Sequence, residues 1–247
     1  METVYGINPL LTLLSRPDCP LERVVIADGR TGPALQKIIA AARQKNIPLD
    51  YRSRTELDRL TGHTRHQGVA GLQKSFAYAD LDDVVRNRHP SAAADLIVVL
   101  DGIVDPQNLG SVIRSAQGFG ANGVVVPKDR AAGVTPAALK ASAGSAGKLP
   151  VARVTNVVSA LKDLKERGFW VYGTDVRQGQ SLRQMDFSGP VVLIMGGESS
   201  GMRPLVKKQC DYLINIPTTG ELESLNVSVA AGIVLFEIFI KHAIADA

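Results

Sequence analysis

Residues 214–236, INIPTTGELESLNVSVAAGIVLF, decide how the rest of the chain is read. They open on a short apolar strand, INIP, pass through the polar turn TTGELES, and enter a helix at Leu225 that stays apolar to Ile240. Ser224 stands where a helix N-cap stands, with a hydroxyl available to a free backbone N–H, and Asn226 lies just inside. A Ser-x-Asn pair there reads either as a cap plus a solvated amide or as two polar groups turned toward a ligand. The apolar run Val227–Ile240 is interrupted by Glu237 and falls short of the roughly 20 residues that span a bilayer. It predicts a buried helix.

Working backward, LIVVL (96–100), GVVVP (123–127), LPVARV (149–154), FWVYGTD (169–175), VVLIMG (191–196) and YLINIP (212–217) are short, β-branched runs. Helical segments such as Leu109–Phe119 and Val157–Arg167 separate them. Continuous apolar strands alternating with helices predict an α/β domain, its parallel sheet covered by helices on both faces. Sites in such sheets lie beyond the carboxyl ends of the strands. The first of these loops, DGIVDPQNLGSVIRSA, starts a helix at Pro106 and carries Asn108 and Arg114. Arg114 is a candidate phosphate ligand, with an ion pair to Asp101 or Asp105 as the alternative. The loop GGESSGMRP (196–204) brings glycines and a carboxylate, Glu198, to a strand end and suits close backbone approach to a small ligand; a plain glycine-rich turn is the alternative.

Several chemistries are poorly supported. No G-x-G-x-x-G dinucleotide fingerprint is present. GSAGKL (144–149) resembles a Walker loop only faintly, with Ser142 in place of its first glycine. No histidine falls between residues 90 and 241, which leaves hydrolytic triads without a base and predicts no metal requirement. Cys19 and Cys210 are far apart, form no C-x-x-C, and as free thiols suit a reducing cytosol. The N-terminus METVYGINP has no signal-peptide pattern, so a cytoplasmic protein without membrane spans is expected.

Residues 1–76 alternate short helices and strands and predict a small α/β domain. A helix over Asn8–Leu14 is started by Pro9, a strand lies in Leu21–Ala27, a helix in Gly32–Lys45, a strand in Ile47–Tyr51 and a helix in Arg54–Leu60. GHTRHQGVAGL (62–72) closes the unit. The chain carries a net +4, and all of it lies here: residues 1–76 hold 11 Lys/Arg against 7 Asp/Glu, and the remainder balances. Arg52, Arg54, Arg59, His63, Arg65 and His66 cluster within fifteen positions and form either a phosphate-facing patch or a solvated basic edge. Residues 77–94 lose periodicity and read as a linker, leaving 95–247 as the second domain.

Together DPQNLGSVIRSA, LIMGGESSGM and INIPTTGELESLNVSVAAGIVLFE, in that order, resemble the three motifs of the SpoU-type ribose 2′-O-methyltransferases of the SPOUT superfamily. VYGINPLLTLL and HQGVAG resemble the substrate-binding domain of the bacterial large-subunit rRNA guanosine methyltransferases. The sequence departs from the pattern at Ser199, where a glycine is usual. The resemblance implies a C-terminal trefoil knot and a homodimer packed through the first-motif helix and the last helix. It implies S-adenosylmethionine held by backbone groups around Met195, Gly196, Gly197, Ile216, Pro217 and Leu225. Arg114 would stand nearest the proton to be removed, with Asn108, Glu198, Ser224 and Asn226 holding ribose, arginine and loops in place. Arg52, Arg54, Arg65 and His66 would meet RNA. The expected substrate is a guanosine ribose in 23S rRNA, with a tRNA ribose as the nearest competitor. From other classes, a non-catalytic RNA-binding or assembly protein is weakened by retention of all five polar positions, and a Rossmann-type oxidoreductase by the missing glycine fingerprint.

Overall fold

The computed structural model describes residues 2–17, 19–73, 75–90, 94–176, 178–197, 201–220 and 224–245, without the side chains of 2 and 243–245. Two compact units divide at Ala77/Tyr78.

In the first unit a four-stranded sheet is built from β1 (Glu2–Tyr5), β2 (Leu21–Ala27), β3 (Leu49–Arg52) and β4 (Val69–Gln73), ordered β1-β4-β2-β3. β4 runs antiparallel to both neighbours and β2 pairs parallel with β3. Helices α1 (Ile7–Leu14) and α2 (Pro33–Gln44) bury Leu10, Leu14, Leu35 and Ile38 against Val24, Ile26 and Val69. Helix α3 (Arg54–Thr61) buries Leu57 with Val25, Ala70 and Leu72. Strand alternation thus feeds two cores, one on each side of the sheet. The expected segments Asn8–Leu14, Leu21–Ala27, Gly32–Lys45 and Arg54–Leu60 overlie α1, β2, α2 and α3, while strand β1 left no periodic signal in four residues. One capping detail differs from the expectation. α1 opens at Ile7 behind Gly6, so Pro9 is inside the first turn. α3 is opened by a capping box in which Ser53 and Glu56 satisfy each other's backbone N–H.

The second unit begins earlier than the linker expectation allows. Residues 81–86 form helix α4 (Leu81–Arg86), which buries Val84 completely in the main core, and Ala79 bridges Ala152. Six residues with one fully buried side chain leave too short a period to read. The sheet contains β5 (Leu96–Asp101), β6 (Gly123–Pro127), β7 (Val151–Val154), β8 (Trp170–Thr174), β9 (Gln180–Ser181), β10 (Val191–Gly196) and β11 (Tyr212–Asn215). Its order is β7-β6-β5-β10-β8-β11-β9, and every pairing is parallel. β5 and β6 are buried along their whole length, as two-sided coverage requires. Helices α7 (Val157–Glu166) and α8 (Pro204–Lys207) join α4 around Ile97, Val99, Val192 and Ile194. Helices α5 (Pro106–Gly118), α6 (Pro136–Ala141) and α9 (Val227–Ala245) complete the unit, and α5 packs against both α6 and α9.

One expectation fails in α9. Its inner positions Val227, Ala231, Val234, Leu235 and Ile238 are buried, but Val229, Ile233, Phe236 and Phe239 are 53%, 39%, 50% and 41% exposed. A uniformly apolar sequence has no polar face to betray which side meets solvent. The helix is therefore only half covered within the chain.

Candidate functional site

The site is assembled where β5, β10 and β11 end. After β5, the Asp105 carboxylate accepts from the Gln107 N–H at 2.9 Å, and Pro106 takes the first helical position, where a missing N–H costs nothing. That cap sets α5 so that Asn108 falls in its first turn, facing the N-terminus of α9. The Asn226 Nδ2 group donates to Asn108 Oδ1 at 3.1 Å. Asn226 Oδ1 accepts from Ser228 N at 2.9 Å, from the Ser228 hydroxyl at 2.6 Å and from Val229 N at 3.4 Å.

Asn226 is therefore the N-cap of α9, and the expectation that Ser224 caps a helix entered at Leu225 is corrected. The helix starts at Val227, because the Asn226 amide oxygen already collects the first free donors. Ser224 is exposed and makes no hydrogen bond among the described residues. One side chain thus caps α9 and locks it to α5. The positive ends of two helix dipoles meet at this point, which favours an anion beside them.

Arg114 lies two turns into α5, exposed, with no hydrogen-bond or ion-pair partner among the described residues. The alternative of an ion pair with Asp101 or Asp105 is set aside, since both carboxylates are engaged elsewhere. Asp105 caps α5. Asp101 is fully buried and held by Arg203: the Arg203 N–H donates to Oδ2 at 2.7 Å, and Nε and a terminal nitrogen reach Oδ1 at 2.7 and 2.6 Å. The Asp101 carbonyl also accepts from Gly197 N at 2.9 Å. This clamp joins the loop after β5 to the loop after β10. The sequence reading missed Arg203, and no local pattern links residues 102 positions apart.

The glycines of the second loop serve the protein's own backbone. A Cβ on Gly196 would lie 2.5 Å from Gly201 C and Met202 N, and one on Gly197 would lie 2.5 Å from Gly102 O. The close approach expected for a ligand is thus made by neighbouring chain segments. Met195 is buried in β10, while Ile216 and Leu225 are half-buried and Pro217 is exposed. No backbone hydrogen bond joins Ile216 or Leu225 to another described residue. Their main-chain donors and acceptors suit the polar edge of a nucleobase-bearing cofactor. Glu198 and Ser199 lie outside the described residues. Among the described residues, no cluster of His, Cys, Asp and Glu could hold a metal ion, and no helix is long and apolar enough to cross a membrane.

In the first unit, Arg54 and Arg65 are exposed and unpaired among the described residues. Arg52 binds Asp50 through Nε and a terminal nitrogen at 3.1 and 2.9 Å, and this guanidinium, joined by Arg23, holds the Asp50 carboxyl below its ordinary range. His66 is corrected: it is 0% exposed, its Nε2 meets Asp58 Oδ1 at 2.9 Å and its Nδ1 accepts from Gly68 N at 3.0 Å. A side chain closed off from solvent and satisfied at both ring nitrogens cannot also meet RNA. The exposed His63, packed beside the Tyr5 ring at 5.2 Å, is the histidine left at the surface.

A small mixed-sheet unit is thus followed by a wholly parallel sheet whose strand-end loops, tied by Asn226–Asn108 and Asp101–Arg203, lie where α/β sheets carry their sites. Residues 95–236 match the SpoU rRNA Methylase family, and residues 3–79 match the RNA 2′-O ribose methyltransferase substrate binding family. The chain belongs to the SpoU methylase family. It is 40% identical over 240 residues, 97% of this chain and 95% of the relative, to a putative TrmH family tRNA/rRNA methyltransferase, YacO, of Bacillus subtilis. It is 38% identical over 241 residues, 96% of this chain and 95% of the relative, to the 23S rRNA (guanosine-2′-O-)-methyltransferase RlmB of Pseudomonas putida. Among solved structures, the SpoU methyltransferase AviRb of Streptomyces viridochromogenes in complex with AdoMet aligns with a TM-score of 0.62 at 25% identity, covering 98% of this chain and 90% of AviRb.

Proposed function

We propose that the protein transfers the methyl group of S-adenosylmethionine to the ribose 2′-hydroxyl of a guanosine in 23S rRNA. The observation that carries this reading is the Asn226–Asn108 bond, which brings two helix N-termini together, one of them opening the helix that carries the exposed, uncommitted Arg114. Full-length similarity to RlmB of P. putida supports the substrate.

When bound, S-adenosylmethionine supplies an electrophilic methyl on a sulfonium. The chain's own groups have the remaining tasks: orienting the ribose and handling its hydroxyl proton. Backbone groups of Ile216 and Leu225 hold the cofactor, together with the segments that carry Met195, Gly196 and Gly197 and with Pro217. Arg114 is a poor simple base, because a guanidinium keeps its proton. It holds a phosphate of the target nucleotide, and either that phosphate or the desolvated guanidinium takes the hydroxyl proton as the C–O bond forms and the methyl–sulfur bond breaks. Asn108, anchored by Asn226, orients the ribose, a task in which the family resemblance also enlists Ser224 and Glu198. Arg54, Arg65 and Arg52 on the first unit grip the RNA backbone.

The protein acts as a homodimer in the cytoplasm, with the C-terminal segment threaded as a trefoil knot. The half-covered face of α9 supports the dimer: Phe236 and Phe239 lie 6.0 Å from Phe119 and remain 50% and 41% exposed. Insertion of β10 between β5 and β8, and of β11 between β8 and β9, supports the threading.

The test uses purified protein, methyl-labelled S-adenosylmethionine, and unmodified 23S rRNA and tRNA, beside an Arg114→Ala variant. Label on a ribose of 23S rRNA, lost in the variant, is the expected result. Label on tRNA overturns the substrate, and an Arg114→Lys variant with full activity overturns the planar-fork role. No label on either RNA, with no cofactor binding, overturns the reading as a whole.

A further inference from the structure

Charge in the second unit balances only in sum. Residues 106–162 hold seven Lys/Arg against the single acid Asp129, a net of +6, and the rest of residues 78–247 carries the compensating excess of acid. Three of these cations gather at the carboxyl ends of β6 and β7. The Lys128 N–H donates to Val154 O at 2.8 Å, and the Arg153 guanidinium donates to Lys128 O at 2.9 Å. Arg153 lies 5.2 Å from the centroid of the Tyr78 ring, and the Tyr78 hydroxyl accepts from Val134 N at 2.8 Å. The loop carrying Lys128 and Arg130 is tied to the loop between β5 and α5, where Ala132 N donates to Ile103 O at 2.8 Å. This surface therefore adjoins the loop that leads into Asn108.

All three side chains are exposed, and none has a carboxylate partner among the described residues. Cations toward the other side of the sheet are differently placed: Lys165, Arg203 and Lys207 hold Asp211, Asp101 and Asp175. Arg130 also adopts φ +55°, a left-handed conformation that favours Gly, Asn or Asp over arginine. The loop accepts that strain while placing a cation outward. Arg153, stacked on Tyr78, presents a pre-oriented planar donor of the kind that suits phosphate.

We propose that Lys128, Arg130 and Arg153 form an RNA-backbone docking surface on the methyltransferase unit itself, gripping phosphodiesters that flank the nucleotide being methylated. This rests on the reading of the chain as an RNA ribose methyltransferase. The surface acts in addition to the basic cluster of the first unit and recognises charge rather than sequence.

The experiment measures binding of a fluorescein-labelled, unmodified 23S rRNA fragment by anisotropy across a salt series, using the full chain. Wild type is compared with a Lys128→Gln/Arg130→Gly/Arg153→Gln variant and with a Lys162→Gln/Arg183→Gln/Lys208→Gln variant, which removes equal charge from exposed sites elsewhere. Three lost phosphate contacts flatten the log K against log salt slope by about 2, and weaken binding near 0.15 M salt about fifty-fold. The second variant changes the slope by less than half as much, and S-adenosylmethionine binding, followed by calorimetry, is unchanged in both. Arg130→Gly relieves a left-handed arginine and offsets the lost Arg153 bond to Lys128 O, so the first variant is expected to unfold near the wild-type midpoint. Equal losses in the two triple variants, or an unchanged slope in the first, overturn the proposal while leaving the methyltransferase reading intact. A wild type that neither binds RNA nor transfers methyl overturns that reading and the proposal with it.

Discussion

Removing the Arg203 guanidinium by Arg203→Met keeps much of the stem and deletes only the charge and its donors. Asp101 then remains fully buried with Oδ2 still bonded to the residue 203 N–H and Oδ1 stripped of two contacts at 2.7 and 2.6 Å. Breaking a buried pair by removing one partner costs roughly 3–5 kcal/mol. The Arg203 side chain is 49% exposed, so water reaches its end of the pair, and about 2–4 kcal/mol is the expected loss here. For a unit of this size each kcal/mol lowers Tm by about 2–4 °C, giving a drop of roughly 5–15 °C by circular dichroism. Asp101→Asn offers no escape, because one amide position must then face a donor from Arg203 whichever way it is turned. Asp101→Leu/Arg203→Met removes both partners and is expected to recover at least half the loss. The clamp also joins the loops after β5 and β10, so the single variant should raise the KM for S-adenosylmethionine more than it lowers kcat. A Tm drop under about 2 °C, with a coupling under about 0.5 kcal/mol in the double-mutant cycle, would refute the clamp.

Gly110→Ala would place a Cβ 2.3 Å from Ala138 O and 2.7 Å from Ala141 Cβ. Since backbone cannot yield as a side-chain tip can, α5 and α6 separate; unfolding midpoints in urea should show a loss of about 1–3 kcal/mol, and methyl transfer should fall with it. Asn226→Ala loses the α9 cap and the bond to Asn108, at about 0.5–2 kcal/mol. Asn226→Asp keeps the cap acceptor but not the Nδ2 donor, so near-native thermal stability with depressed kcat separates positioning from capping, and full activity would contradict the positioning role. Burial pushes the Tyr172 phenol up to about 12, with Tyr212, Asp186 and Asp211 adding to it. The folded chain thus keeps a proton that the unfolded chain releases near pH 10; stability contributed below that pH should fall as pH rises from about 10 to 12, measured by denaturant titration. Burial likewise raises the Cys210 thiol to about 12, so at pH 8 iodoacetamide should label it far more slowly in the native chain than in urea.

Much of this architecture is carried by local pattern. The runs at 96–100, 123–127 and 191–196 overlie β5, β6 and β10 almost residue for residue, because a strand buried on both faces must be apolar throughout. Elements whose burial rests on one or two side chains left no such period: β1, α4 with its lone Val84, and the four-residue α8. The caps show the same limit. Ser224 and Asn226 are both capable caps, and only the position of α5, whose Asn108 meets Asn226, decides between them.

The sequence alone determined the two α/β units, the parallel sheet, the family resemblance and the residue types around the site, since propensity, periodicity and motif spacing are properties of neighbours along the chain. The tertiary structure alone decided what those residues touch. It buried His66 against Asp58, gave Asp101 to Arg203 and so left Arg114 without a carboxylate partner among the described residues, and turned Val229, Ile233, Phe236 and Phe239 outward from a helix that reads as apolar all round. It also gathered Lys128, Arg130 and Arg153 into one surface within a unit of zero net charge. Each of these depends on which distant segment arrives alongside, and sheet order, not local sequence, sets that arrival.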